Sequence, residues 1–174
     1  MRFALIGLLA AGLSGCESVQ NMFSDGPRAT AKLQPTKGNN TSGTVEFREA
    51  GNKVRVAANV SGLKPGSEHG FHVHEAGDCS SGDGMSAKGH FNPLSKPHGS
   101  PNSSERHAGD MPMLRADSGG NAKLDTELDT ITVAPGPTSI VGRGLIVHAD
   151  PDDFKTQPTG NAGARLACAV IQRQ

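Results

Sequence analysis

At 174 residues the chain suits one domain with a core of its own. Its net charge is zero, and it has neither Trp nor Tyr and no basic run, which argues against the cationic, aromatic platform of a nucleic-acid-binding protein. Glycine (23) and proline (11) are abundant, and the apolar residues come in short alternating runs rather than helical stripes, so a turn-rich all-β domain is expected.

Residues 1–15 read as a leader outside the fold. Arg2 supplies a minimal positive start, and 3–13 is an apolar stretch of eleven residues, too short to span a bilayer as a helix. Leu13-Ser14-Gly15-Cys16 follows and resembles a bacterial lipobox, in which the cysteine becomes the lipidated first residue. An ordinary secretory signal is the alternative. Lipidation at Cys16 implies an exported protein anchored on the periplasmic side of a membrane, and Glu17 after the cysteine hints at the outer membrane by resemblance to bacterial sorting rules. Residues 16–28 are then the lipidated cysteine and a polar tether, and 29–174 the folded domain. The two remaining cysteines of an exported chain, Cys79 and Cys168, read as one disulfide. It would close a loop of about 90 residues, for which chain-entropy arguments give about 4 to 5 kcal/mol as an upper range.

Alternating runs predict strands at 30–34, 43–49 and 53–60, separated by turns, and Leu63-Lys64-Pro65-Gly66 turns the chain into a strand at 70–75. The segment 76–110 is polar and turn-rich, and a structureless stretch of that length needs something other than a core to order it. Strand signals return at 122–128, 131–133 and 144–148. A second polar loop at 149–163 precedes a last strand at 165–171. About eight strands, two long loops and no ordinary helix suggest a closed barrel or flattened sandwich that hides its edges.

In the strand Gly70-Phe71-His72-Val73-His74-Glu75, His72 and His74 share one face while Phe71 and Val73 share the other. Alone, the pair fits a half-buried strand with two solvated histidines. His90, His98, His107 and Asp110, however, offer three nitrogens and one oxygen within 21 residues of the coreless loop, a donor set that closes a tetrahedral zinc site and would order the loop. His148 sits on a strand face opposite Leu145 and Val147, so it can converge with His72 and His74, and all-nitrogen ligation suits copper. If His90 offers one ring nitrogen to each metal, seven residues serve two ions. His69 lies off that face, with Phe71 and Val73, and reads as structural.

The motifs His69-Gly70-Phe71-His72-Val73-His74-Glu75, Gly89-His90-Phe91-Asn92-Pro93, His98-Gly99, Arg106-His107-Ala108-Gly109-Asp110, Val147-His148-Ala149 and Gly160-Asn161-Ala162-Gly163-Ala164-Arg165-Leu166-Ala167-Cys168 occur in this order. Over residues 30–174 the chain resembles the bacterial copper/zinc superoxide dismutases. The resemblance implies an eight-stranded Greek-key β-barrel with two long functional loops, copper on His72, His74, His90 and His148, and zinc on His90, His98, His107 and Asp110. It further implies a Cys79–Cys168 disulfide, His90 as proton carrier, Arg165 as the cation that guides superoxide, and Asp152 as a bridge from His72 to His98, with Asp150 and Asp153 as neighbouring candidates. Lys88, Lys96 and Lys155 either add positive potential near the channel or are simply solvated. The implied reaction is dismutation of superoxide to oxygen and hydrogen peroxide; the alternative is a non-catalytic barrel that stores or transfers metal. Family members occur as monomers and homodimers, and no interface is readable in the sequence.

Overall fold

Alternation along the chain decides which side of each strand is dry. The computed structural model describes residues 26–174, so the leader and the lipidation at Cys16 lie outside the described residues, as does most of the tether. Ten strands follow one another: β1 (Arg28–Pro35), β2 (Ser42–Ala50), β3 (Lys53–Ser61), β4 (Glu68–His69), β5 (Phe71–His74), β6 (Leu114–Arg115), β7 (Ala122–Leu128), β8 (Gly144–His148), β9 (Arg165–Val170) and β10 (Gln172–Arg173). The only helical element among the described residues is a single 3-10 turn, Met85–Ala87.

Eight strands form one curled antiparallel sheet in the order β5-β8-β9-β1-β2-β3-β7, with β10 also paired to β1; β4 and β6 make a separate small ladder. The chain runs through the meander β1-β2-β3, crosses to the far edge as β5, adds β7 beside β3 and returns to β8 and β9, which is Greek-key connectivity. Ala29, Ala31 and Leu33 of β1, Val45 and Phe47 of β2, and Val54, Val56, Ala58 and Val60 of β3 all point into the core. Their neighbours Lys32, Glu46 and Arg55 face solvent, as the period of two requires.

The site strands break that rule, because every residue of β5 and β8 is buried. Phe71, Val73, Leu145 and Val147 join the main core, while the opposite face carries His72, His74, His148 and Ile146 beneath the long loops. Ile146 packs there with Ala87 and Cys168 in a small cluster of its own. Covalent and main-chain links both fasten the loop at 76–110 to the sheet. The disulfide Cys79–Cys168 ties it to β9. Its later part is laced to the free edge of β5 by Glu75 N–H to Gly89 C=O (2.9 Å), Phe91 N–H to Val73 C=O (2.8 Å) and Val73 N–H to Gly109 C=O (3.0 Å). Gly109 is required there, since a Cβ would stand 2.3 Å from the Val73 oxygen.

The expected strand at 131–133 does not form. Ile131 and Val133 are buried in the alternating manner that suggested it, but the Glu49 carboxylate takes the N–H groups of Val133 and Ala134 (2.7 Å each), leaving only an isolated bridge between Thr132 and Ser139.

Phe47, 1 % exposed, stands at the centre of the meander opposite Ala29 and Val56, small partners that cannot fill its volume. Phe47→Ala is expected to cost about 3–5 kcal/mol, read as a lower denaturation midpoint with an unchanged slope.

Candidate metal centre

The strand period places His72 and His74 of β5 beside His148 of β8, and the edge lacing brings His90 and His107 with Asp110 down onto them. Two groups result, each with its possible ligand atoms within 4.8 Å of one another: His72, His74, His90 and His148 in one, His90, His98, His107 and Asp110 in the other. All seven residues are buried, and His90 belongs to both groups. Its ring lies 3.9 Å, centroid to centroid, from that of His72, and its Nδ1 is 2.8 Å from Asp110 Oδ1.

The non-ligating nitrogens are held with care. His72 Nε2–H donates to Asp152 Oδ2 (2.6 Å) and His98 Nε2–H to Asp152 Oδ1 (2.9 Å), so one carboxylate from the loop at 149–163 spans both groups. His74 Nδ1–H donates to the Lys88 carbonyl (2.9 Å). His72 Nδ1 and His90 Nε2 are buried without a hydrogen-bond partner, and His98 Nδ1 and His107 Nδ1 face only the Asp110 carboxylate, at 3.1 and 3.4 Å and out of line for a hydrogen bond. Orphaned buried nitrogens converging from several elements, with their far sides fixed by carboxylate or carbonyl, are the donor set that metal ions require. The first group is all imidazole and suits copper; the second, three imidazoles and a carboxylate, suits zinc.

Burial, with the neighbouring histidines, holds His74 and His148 well below the ordinary histidine range. Burial and then His72 take His90 down to about 4, against the pull of Asp110. These rings therefore stay neutral, the form that ligates. His98 goes the other way: burial opposes its charge, but the adjoining carboxylates of Asp110 and Asp152 raise it to about 9. Burial likewise opposes ionisation of Asp110 and Asp152, yet both are held below the usual carboxylate range. His107, His90 and His98 do this for Asp110, and His72 and His98 for Asp152.

Arg165 opens β9 half-buried, its guanidinium donating to the carbonyls of Gly84 (2.5 Å) and Lys88 (2.6 Å). The Lys88 oxygen therefore receives both Arg165 and His74, which puts the cation beside the all-histidine group. His69, expected to be structural, is buried and donates Nδ1–H to the His148 carbonyl (2.8 Å). Asp150 and Asp153 do not reach the histidines: the Asp150 backbone pairs with Gly70 and Ala162, and the Asp153 carboxylate caps Lys155 and Thr156. Lys88 and Lys96 each have an acidic neighbour, Glu75 and Glu105 (3.7 Å each), while Lys155 is exposed. Sequence reasoning missed Gln157, whose side-chain amide exchanges two hydrogen bonds with the His98 backbone (2.8 and 2.9 Å) and so ties the second loop to the first. No spacing signals such a contact, because its partner is main chain.

The fold and these contacts define a β-sheet metalloprotein with two adjoining histidine-rich sites that share one imidazole. The chain belongs to the copper/zinc superoxide dismutase family, whose model matches residues 41–171. It is 39 % identical over 172 residues to Superoxide dismutase [Cu-Zn] 2 of Aquifex aeolicus (strain VF5), covering 97 % of this chain and 98 % of that protein. It is 47 % identical over 135 residues to Superoxide dismutase [Cu-Zn] of Paramecium bursaria Chlorella virus 1, covering 74 % and 71 %. Among solved structures, the crystal structure of the clock protein EA4 superposes with a TM-score of 0.78 at 39 % identity, covering 87 % of this chain and 98 % of that one.

Because Asp152 is, among the described residues, the carboxylate that reaches both His72 and His98, Asp152→Asn must turn an amide N–H against one of two N–H donors. Metal affinity is expected to fall about 10- to 100-fold, measured by competition with a chromogenic chelator.

Proposed function

We propose that this chain dismutates superoxide, with copper held by His72, His74, His90 and His148 and zinc by His90, His98, His107 and Asp110. The observation that carries this reading is the membership of His90 in both groups, next to a guanidinium that shares a carbonyl with His74. When bound, copper supplies a one-electron couple that takes an electron from one superoxide and returns it to a second, and zinc supplies fixed charge that orders the loop.

The chain's own residues do the rest. Arg165 draws the small anion toward the all-histidine group and orients it by hydrogen bonds from a planar, permanently charged fork. Gly84 and Lys88 fix that fork from behind through their carbonyls. His90 Nε2, buried and otherwise unpaired, is placed to hold a proton and pass it to the reduced substrate. With a second proton from solvent, two superoxide ions and two protons give one oxygen and one hydrogen peroxide. Asp152 holds the tautomers of His72 and His98, so their Nδ1 atoms stay free to ligate.

We further infer that the mature protein is exported and anchored through a lipid on Cys16, at the periplasmic side of a bacterial membrane and most simply the outer one. The disulfide supports an oxidising compartment, and the Leu13-Ser14-Gly15-Cys16 tetrad supports the anchor. Mass spectrometry of the protein from a membrane fraction tests it: an unlipidated N-terminus would reject the anchor.

The copper- and zinc-loaded protein is expected to consume superoxide in a stopped-flow or pulse-radiolysis assay, and a copper chelator to abolish that activity. His148→Ala is expected to keep its zinc by elemental analysis and to lose most activity; full activity would remove the all-histidine group from the mechanism. Arg165→Ala is expected to lower the rate about tenfold or more and to weaken its dependence on salt.

A further inference from the structure

The strand that carries Arg165 is irregular where the guanidinium leaves it. On β8, Val147 and His148 are consecutive, but their partners on β9 are Ala167 and Arg165, so Leu166 is an extra residue and β9 bulges opposite His148. A bulge re-aims the side chains beside it and takes residues out of the ladder. Here it leaves the carbonyls of both Arg165 and Leu166 within reach of the β1–β2 turn, where Thr36 meets them. Thr36 N–H donates to Leu166 C=O (3.0 Å), and its hydroxyl lies 2.6 Å from Arg165 C=O and 3.1 Å from Leu166 C=O. Asn39 Nδ2–H donates into the same hydroxyl (2.8 Å), which leaves the hydroxyl hydrogen pointing at the carbonyls. Thr36 is 6 % exposed, so water cannot readily replace it.

The same turn grips the loop that holds the other end of the arginine. Lys37 N–H donates to Gly82 C=O (2.7 Å), and the Thr36 methyl carbon comes within 3.5 Å of where a Cβ on Gly84 would stand, with Arg165 Cβ and Cδ at 3.3 Å. Arg165 is thus clamped at its guanidinium by Gly84 and Lys88 and at its main chain by Thr36.

We propose that Thr36 is a positioning residue for Arg165, holding the bulge that aims the guanidinium at the all-histidine group. This rests on the reading of Arg165 as the substrate-facing cation. The hydroxyl acts through the arginine and touches no substrate.

The test uses the full metal-loaded protein with Thr36→Val, which keeps the side-chain shape and removes the hydroxyl, and Thr36→Ser, which restores it. Two quantities are read: the bimolecular rate with superoxide and the affinity for inorganic azide, followed by its optical change on the copper-loaded protein. For Thr36→Val the rate is expected to fall about fivefold to twentyfold, below the roughly hundredfold cost of an ångström of misplacement. Azide should bind more weakly in parallel, with copper and zinc contents unchanged. Thr36→Ser should recover both, and in an Arg165→Ala background Thr36→Val should have no further effect. Wild-type rate and azide affinity in Thr36→Val would overturn the proposal, as would a full additional loss in the Arg165→Ala background. Should Thr36→Val fail to fold, Asn39→Ala carries the test, with a smaller loss of azide affinity expected and no loss overturning the proposal. If the unaltered protein consumes no superoxide, the dismutase reading falls, while the azide titrations still decide the role of Thr36.

Discussion

Two imidazole nitrogens, His72 Nδ1 and His90 Nε2, are buried with no hydrogen-bond partner inside the protein, two more, on His98 and His107, face only the Asp110 carboxylate, and the arrangement of the sheet's outer wall follows from that. Each such group costs about 1–3 kcal/mol when left unpaired. An apolar face would have needed only a lid of leucines. This face needs ions, and their binding free energy is therefore part of what keeps the loops at 76–110 and 149–163 against the sheet.

The rest of the structure limits how much that binding has to accomplish. Main-chain lacing along β5 places residues 89–91 and 107–110 without help from side chains, and it covers a strand edge that would otherwise be open. The disulfide fixes the other end of the loop to β9. Asp152 and Asp110 then divide the electrostatic work. Asp110 gathers His90, His98, His107 and two backbone N–H groups, while Asp152 reaches across from the second loop to set two rings in one orientation.

The parts of this plan written as side-chain alternation were readable in the sequence. β1, β2, β3 and β8 stand within a few residues of where their apolar spacing put them, and the seven histidine and aspartate residues singled out do meet in two groups. Where main-chain groups find side-chain or distant main-chain partners, the reading failed. Residues 131–133 have the burial of a strand, but a carboxylate from β2 captures their amides. The ladder of β4 with β6, the last pair at β10, the Gln157 clamp and the Thr36 contact all involve carbonyls or amides far apart in the chain, and no residue type announces a carbonyl's direction.

Lys88 illustrates the same point at the site itself. The sequence invites attention to its ammonium, yet its oxygen is what receives both His74 and Arg165, and that oxygen is aimed by torsion angles of 63° and −148°, a region that favours glycine. Mutational tolerance at this position should follow the backbone rather than charge: a glycine would relieve the strain while leaving both donors their acceptor, whereas a β-branched residue would resist the required twist and loosen His74 and Arg165 together.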